Sequence, residues 1–343
     1  MLESKTYEQR VQEQIDQYLE QPIHGLPDIF HHWSHHHILP GLQSVFGASS
    51  ISDFYVGAVE EAWTRNPDST CRILSIGCGD GDVELELIEA LIAKGSHNFR
   101  LEGVDVSPVL IERFSEKIEQ RNFTAFASAR IEDINVSRDH AQYNVIMANH
   151  CLHHFVELEQ TFSFIFNSLA DGGIFVTSDM IGRNGHMRWP ECEAVLQAMW
   201  PMLNDSQKFH HQLMRLDDEK FQDHDCSGEG FEGIRAQDIL HLCLDTFKPY
   251  RFFGYGGFID LLVDRGYGPG YDANAPFDQA LISFLAKLND MMLDSGMIKP
   301  TMMAAYFTKE DRGQHYYRNR QAQQSVRASY DTPEWVNFRP IAQ

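Results

Sequence analysis

The chain has 343 residues, 43% of them hydrophobic and 22% charged, with a formal net charge of −21 from 28 basic and 49 acidic side chains. Such a length suits one large domain with elaborations, or two modest domains. The acid excess argues against nucleic acid as a partner, since proteins that track phosphates present a basic face.

No apolar run reaches the ~18 residues that a membrane span needs, so no membrane partner is expected. The first ten residues are polar and lack the apolar core of a signal peptide, which makes a cytoplasmic protein the expectation. Cys71, Cys78, Cys151, Cys192, Cys226 and Cys243 stand apart without a CxxC pair, indicating neither a zinc ribbon nor a disulfide framework.

In chain order, residues 1–65 read as a helical N-terminal cap. Tyr7, Val11, Ile15, Tyr18 and Leu19 recur at helical spacing, and Pro22, Pro27 and Pro40 break the region into short pieces. Five of the 17 histidines crowd into His31–His37; a solvated or packing role suits them better than ligation. From Cys71 the pattern changes. Short β-rich runs at 72–76, 100–106, 123–129, 143–148 and 174–178 alternate with helical stripes, and Asp171-Gly172-Gly173 reads as a helix stop.

Strands alternating with helices predict an α/β fold, a doubly wound, Rossmann-like sheet covered on both faces. Residues 66–180 are the expected ligand-binding core. Residues 181–233, polar and acidic, read as a cap inserted over the carboxyl edge of the sheet. Residues 234–308 return to the pattern with strands at 250–255 and 301–307, for seven strands in all, and 309–343 form a tail.

The first strand runs into Gly77-Cys78-Gly79-Asp80-Gly81-Asp82. Glycines there let the chain turn sharply and bring a ligand to the main chain. A dinucleotide loop would place its third glycine at position 82, where Asp82 would repel a pyrophosphate, and no G-K-[ST] follows. The spacing suits a ligand without phosphates. Asp105, 26 residues after Gly79, ends the second strand, where a carboxylate accepts hydrogen bonds from both ribose hydroxyls. Ile131-Glu132-Asp133 follows the third strand, and Asn149-His150-Cys151-Leu152-His153-His154 follows the fourth.

These four motifs, in order over roughly residues 70–180, resemble the class I S-adenosylmethionine-dependent methyltransferases. The resemblance implies a seven-stranded methyltransferase sheet and S-adenosyl-L-methionine as cofactor. Gly77, Cys78, Gly79 and Gly81 would face the methionine portion, Asp105 and Val106 the ribose, and Ile131 and Glu132 the adenine, with Asn149 beside them. Two positions depart from the family: Ser75 stands where many members have an acid, and Asn144 replaces a common Asp.

A methyl acceptor must lie in line with the sulfonium, above the carboxyl ends of strands four and five. His150, His154 and Asp179 are the candidate catalytic residues there. His150 comes directly off a strand end, and His153 and His154 read as scaffold. Arg183 and His186 lie in the same region. In the cap, Gly228-Glu229-Gly230-Phe231-Glu232-Gly233-Ile234-Arg235-Ala236-Gln237, with Phe252–Gly257 downstream, is similar to the α-keto-acid C-methyltransferases, most of all the 2-ketoarginine methyltransferases.

That similarity implies C-methylation at C3 of 5-guanidino-2-oxopentanoate through an enolate. Arg235 would hold the keto-acid carboxylate, and Glu229, Glu232 or Trp189 would meet the guanidinium. The alternative for Arg235 is an ordinary ion pair in the first helical turn. Alternatives for the whole are an N- or O-methyltransferase of another small metabolite and a non-catalytic S-adenosylmethionine-binding protein. A divalent metal acting as Lewis acid stays open, with no ligand residue assigned. The helical N-terminus closes over its own subunit or reaches a neighbour, leaving a homodimer open as well.

Overall fold

The computed structural model describes residues 6–7, 9–13, 25–65, 67, 69–135, 141–228, 230–327 and 331–337. The aliphatic runs become β1 (Cys71–Ile76), β2 (Phe99–Asp105), β3 (Ala127–Ile131), β4 (Tyr143–Asn149) and β5 (Leu169–Met180). A small hairpin, β6 (Phe209–His210) and β7 (Arg215–Leu216), follows, then β8 (Lys248–Tyr255), β9 (Met302–Thr308) and β10 (His315–Tyr316). The main sheet has eight strands in the order β10-β8-β9-β5-β4-β1-β2-β3. Its pairs are parallel except where β9 runs antiparallel between β5 and β8.

This is the expected α/β, Rossmann-like architecture with one strand more than the seven anticipated. The extra strand comes from the segment after Lys309, where His315 and Tyr316 pair in parallel with Arg251 and Phe252. Two residues are too few to carry an alternating pattern. Two boundaries also differ. Phe123 to Phe126 form a turn, with the Phe126 N–H donating to the Phe123 carbonyl at 2.7 Å, so β3 starts later than expected. Asp171-Gly172-Gly173 lie within the irregular entry to β5, where the pairing with β4 shifts register between Tyr143 and Val145.

The central strands are buried on both faces, as parallel sheets require. Val145 and Met147 of β4 pack into one layer with Phe54, Val59 and Leu87. Ile146 and Ala148 pack into the other with Phe162, Phe175 and Phe247. β1 has β2 on one side and β4 on the other, so the strand order reverses there. Such a reversal opens a crevice beyond the carboxyl ends of the two diverging strands.

A third buried cluster lies off the sheet and joins three stretches remote in sequence. Ile29 and Trp33 come from the N-terminal region, Cys192, Leu196 and Trp200 from the segment after β5, and Phe258, Leu262, Tyr267 and Ile282 from between β8 and β9. At its centre the Trp200 indole N–H donates to the Asp217 carbonyl at 2.5 Å, and the Tyr267 hydroxyl donates to the Asp217 carboxylate at 2.6 Å. Of the N-terminal helix expected from sequence, Ile15, Tyr18, Leu19 and Pro22 lie outside the described residues. No helix among the described residues is long and apolar enough to cross a membrane. Replacing the fully buried Trp200 by Ala is expected to cost about 3–5 kcal/mol of stability, a loss that urea unfolding will measure.

Candidate active site

The loop leaving β1 is shaped by its glycines. Gly77, Gly79 and Gly81 have φ of 61°, 56° and 79°, a region that residues with a Cβ enter only with strain. A Cβ on Gly77 would lie 2.6 Å from the Cys151 Cβ, and one on Gly81 would lie 2.0 Å from the Phe114 ring. Among the described residues a Cβ on Gly79 would meet nothing within 4 Å, so that side of the loop tip is open.

Asp105, at the end of β2, locks onto this loop. Its carboxylate accepts from the Gly79 N–H at 2.9 Å and from the Ser107 N–H at 2.9 Å. Burial pushes its pKa above the usual carboxylate value. Val106 next to it and Cys78 in the loop are both half-buried. At the end of β3, beside Asp105, Ile131 is 57% exposed, an apolar shelf on the carboxyl edge of the sheet. Glu132 donates its N–H to the Asp105 carbonyl at 3.0 Å and pairs with Arg130.

Asn149 ends β4 and accepts from the buried Tyr55 hydroxyl at 2.9 Å. Tyr7, from the N-terminal region, donates to Asp133 at 2.6 Å. Arg10 donates to the carbonyls of Ser227 and Gly230. Neither tyrosine contact has a sequence signal, because the partners lie 94 and 126 residues apart.

Beside the loop, the chain leaving β4 makes a short turn around Asp179. This carboxylate, fully buried at the end of β5, accepts from the N–H groups of Cys151 and Leu152 at 2.9 and 2.8 Å. It also accepts from the Met180 N–H at 2.8 Å and binds His153 Nδ1 at 2.6 Å. Burial disfavours charge on both partners, but their mutual attraction prevails: His153 is held above the usual imidazole value and Asp179 below the usual carboxylate value. The other ring nitrogen of His153 faces Glu232 Oε1 at 3.6 Å, and His186 Nε2 lies 2.7 Å from the same oxygen.

His154 Nε2 is 3.8 Å from Glu232 Oε2, and burial together with the neighbouring His153 lowers its pKa to about 3. His150, exposed, sits with its ring centroid 5.9 Å from that of His153. His150 and His186 both have positive φ, 50° and 56°, a strained conformation for residues with a Cβ that clusters at functional sites.

A glycine loop open on one side of its tip, a carboxylate locked onto that loop, an apolar shelf and a histidine cluster thus lie along the carboxyl edge of the sheet around the point where the strand order reverses. The family model for the methyltransferase domain matches residues 49–234, more than half of the chain. The chain belongs to the class I S-adenosylmethionine-dependent methyltransferases.

Similar proteins include a non-reducing polyketide synthase of Penicillium roqueforti, 30% identical over 105 residues that cover 30% of this chain and 4% of the synthase. A malonyl-[acyl-carrier protein] O-methyltransferase of Ilyobacter polytropus is 25% identical over 182 residues, covering 51% of this chain and 63% of its own. The chain therefore spans less than two thirds of the length of these curated relatives. Among solved structures, a putative sarcosine dimethylglycine methyltransferase from Galdieria sulphuraria aligns with a TM-score of 0.45 at 15% identity, over 84% of this chain and 98% of that one. Geranyl diphosphate C-methyltransferase from Streptomyces coelicolor A3(2) aligns with a TM-score of 0.43 at 14% identity, over 76% of each chain.

This family uses S-adenosylmethionine as its methyl donor. The structure places the residues singled out from sequence unequally around that site. Asp179 is sealed from solvent by its four donors and reaches the crevice only through His153. Arg235, expected to hold a carboxylate, is engaged elsewhere: its guanidinium binds both oxygens of Glu159 at 2.7 and 2.8 Å and Asp238 at 2.9 Å. Trp189 is buried beneath the Arg327 guanidinium, 4.4 Å from it, in a cleft whose other walls include Gln237, Lys299 and Val326. Glu229 lies outside the described residues, whereas Glu232 stands at the centre of the histidine cluster. Of the His31–His37 run, His32 and His36 pack ring to ring 4.5 Å apart on a helical stretch with a π-helical turn.

The departure at Ser75 is met from the following helix. Ser75 donates to Glu84 at 2.6 Å, so the carboxylate missing from the strand is supplied by a 2%-exposed side chain nine residues on. Burial raises Glu84 from an ordinary value of 4.5 to about 7. The folded chain then holds a proton that the unfolded chain releases, and stability falls as pH rises through that interval. Glu84→Gln removes the penalty while keeping an acceptor for Ser75. Above about pH 7 its thermal midpoint is expected to exceed that of the parent, by the equivalent of about 3 kcal/mol, and the gap should close toward pH 5. Thermal unfolding followed across that range checks it.

Proposed function

We propose that this methyltransferase moves the methyl group of S-adenosylmethionine onto C3 of a small α-keto acid, with 5-guanidino-2-oxopentanoate as the first substrate to test. The observation that carries the reading is His150, an exposed residue whose imidazole is held below its usual pKa and so unprotonated near neutral pH, at the strand-order reversal beside the buried His153–Asp179 pair. An unprotonated imidazole there can take a proton from an acceptor that must be deprotonated before it attacks. In the proposed reaction His150 removes the C3 proton and the C–H electron pair forms the C2=C3 bond of an enolate. C3 then attacks the methyl carbon, the S–CH3 bond breaks, and S-adenosylhomocysteine leaves with that electron pair. His150 returns its proton to solvent.

For the cofactor, the reading assigns the glycine loop to the methionine portion, Asp105 to the ribose, and Ile131 with Glu132 to the adenine. For the substrate carboxylate it turns from Arg235 to Arg183. Arg183 leaves β5 half-buried, three residues before His186, and has no carboxylate partner among the described residues. Glu232 and Glu229 supply acidic groups for a guanidinium. The similarity of the stretch around residues 228–237 to 2-ketoarginine methyltransferases supports the same choice.

A second reading is O-methylation. It is favoured by the malonyl-[acyl-carrier protein] O-methyltransferase among the relatives; an acceptor carboxylate would then need no base. Calorimetry with S-adenosylmethionine and S-adenosylhomocysteine release with a panel of keto acids, carboxylates and amines decide between them. Asp105→Ala is expected to abolish measurable cofactor binding. His150→Ala is expected to keep it while lowering kcat with keto acids by about 10²–10⁴. Product formed only from carboxylates or amines, or unchanged by His150→Ala, overturns the C-methylation reading.

A further inference from the structure

We infer that His153, His186 and Glu232 form a binding site for one divalent transition-metal ion beside the methyl-transfer crevice. Among the described residues these three side chains bring one ligand atom each to within 4.8 Å of one another. They come from three separate segments: the turn after β4, the chain leaving β5, and the loop before the helix Ala236–Thr246.

The donor set is that of a metal centre. Two imidazoles and a carboxylate suit zinc and the neighbouring first-row ions, and leave open coordination positions for water or substrate. The separations come near those of a metal site. In a tetrahedral site with bonds of about 2.0–2.2 Å, ligand atoms sit roughly 3.3–3.5 Å apart. Here the Glu232 oxygen is 3.6 Å from His153 Nε2 and 2.7 Å from His186 Nε2. The 2.7 Å contact is a hydrogen bond that would open by about 0.6–0.8 Å to admit the ion.

Two further observations point the same way. First, His153 is oriented from behind: Asp179 binds its Nδ1 at 2.6 Å, and Asp179 is itself held by three backbone N–H groups. A carboxylate behind a histidine fixes the tautomer and aims the remaining nitrogen lone pair at a metal. That nitrogen faces a carboxylate oxygen at 3.6 Å, beyond hydrogen-bonding distance, and an ion between them would bind both. Second, His186 enters the cluster with a positive φ of 56° immediately after Gly185, whose own φ is 65°. Strain at a non-glycine residue is retained where the surroundings demand that side chain in that place.

An ion here has a chemical use. A keto acid offers adjacent carbonyl and carboxylate oxygens that can chelate it, and a cation at the C2 oxygen stabilises the enolate's charge. This use rests on the keto-acid reading; the binding of the metal does not.

The test is direct titration of the chelator-stripped full chain with Zn²⁺ by calorimetry and with Co²⁺ by visible absorption. One ion per chain is expected, with Co²⁺ bands of a low-coordinate N/O site. Glu232→Gln and His186→Ala are each expected to weaken binding by about 100-fold or more, and Asp179→Asn, behind His153, by about 10–100-fold. Since Glu232 and His186 lie on different segments, misfolding of one variant leaves the other to decide, with S-adenosylmethionine binding as the check on folding. The double variant His35→Ala/His36→Ala is expected to bind as the parent does.

No stoichiometric binding, or binding lost in the His35/His36 variant but kept in Glu232→Gln and His186→Ala, overturns the proposal. Metal bound at the site while only amines are methylated would leave the site standing and sink the keto-acid reading. Keto acids methylated at full rate by a chain that binds no metal would do the reverse.

Discussion

The turn that leaves β4 for the histidine cluster depends on one buried carboxylate. Asp179 sits at the end of β5, between β4 and β9 in the sheet, and satisfies three backbone N–H groups and one imidazole at once. Those bonds define the turn that carries Cys151, Leu152 and His153. A buried anion with four donors is tolerable, but removing it would leave four donors without partners in a dry interior, a far larger loss than any one bond is worth. The strain at His150 is held by the same arrangement: its N–H is committed to the Ser178 carbonyl on one side, and the next residue is tied to Asp179 on the other.

The sheet was legible in the sequence because its central strands are buried on both faces and so read as unbroken aliphatic runs. The glycine loop was legible because three positive-φ positions leave few choices of residue. Ends and edges were not. β10 is two residues long, and β3 is displaced by a turn whose phenylalanines look like strand residues. The site was half legible. Asp105 and the loop are local features with a known spacing, whereas the histidine cluster is assembled from positions 153, 186 and 232, which share no period. His153 read as scaffold and is scaffold in part, since Asp179 orients it, but its free nitrogen faces the cluster. Arg235 was open to either reading, and a bidentate pair with Glu159, 76 residues away, is invisible to spacing arguments.

The acid excess takes a more specific form once partners are known. Asp217 is consumed by Arg215 and Tyr267, Asp223 by the Arg188 backbone, and Asp260 by the Arg188 side chain. These carboxylates hold together the third core, in which the N-terminal region, the segment after β5 and the segment before β9 meet. Their charge therefore does structural service and adds less to any steering of a cationic substrate than a count of residues implies. Glu232 is different: half-buried among three imidazoles, which hold its carboxyl well below the usual range despite burial, it stays anionic at the centre of the cluster.

Methyl transfer demands that donor and acceptor hold one line, and an error of about 1 Å is costly. Under the proposed assignment of the two sites, the fold meets that demand through Cys151. Its Cβ would collide with any side chain at Gly77, and its thiol donates to the Ile76 carbonyl at 3.1 Å, while its own N–H belongs to Asp179. The turn that carries the histidines is therefore seated directly on the glycine loop that leaves β1. The loop and the turn cannot drift apart without breaking this contact. The glycine at position 77 thus serves two ends, a backbone conformation and a close approach, and both follow from the reversal of strand order between β1 and β4.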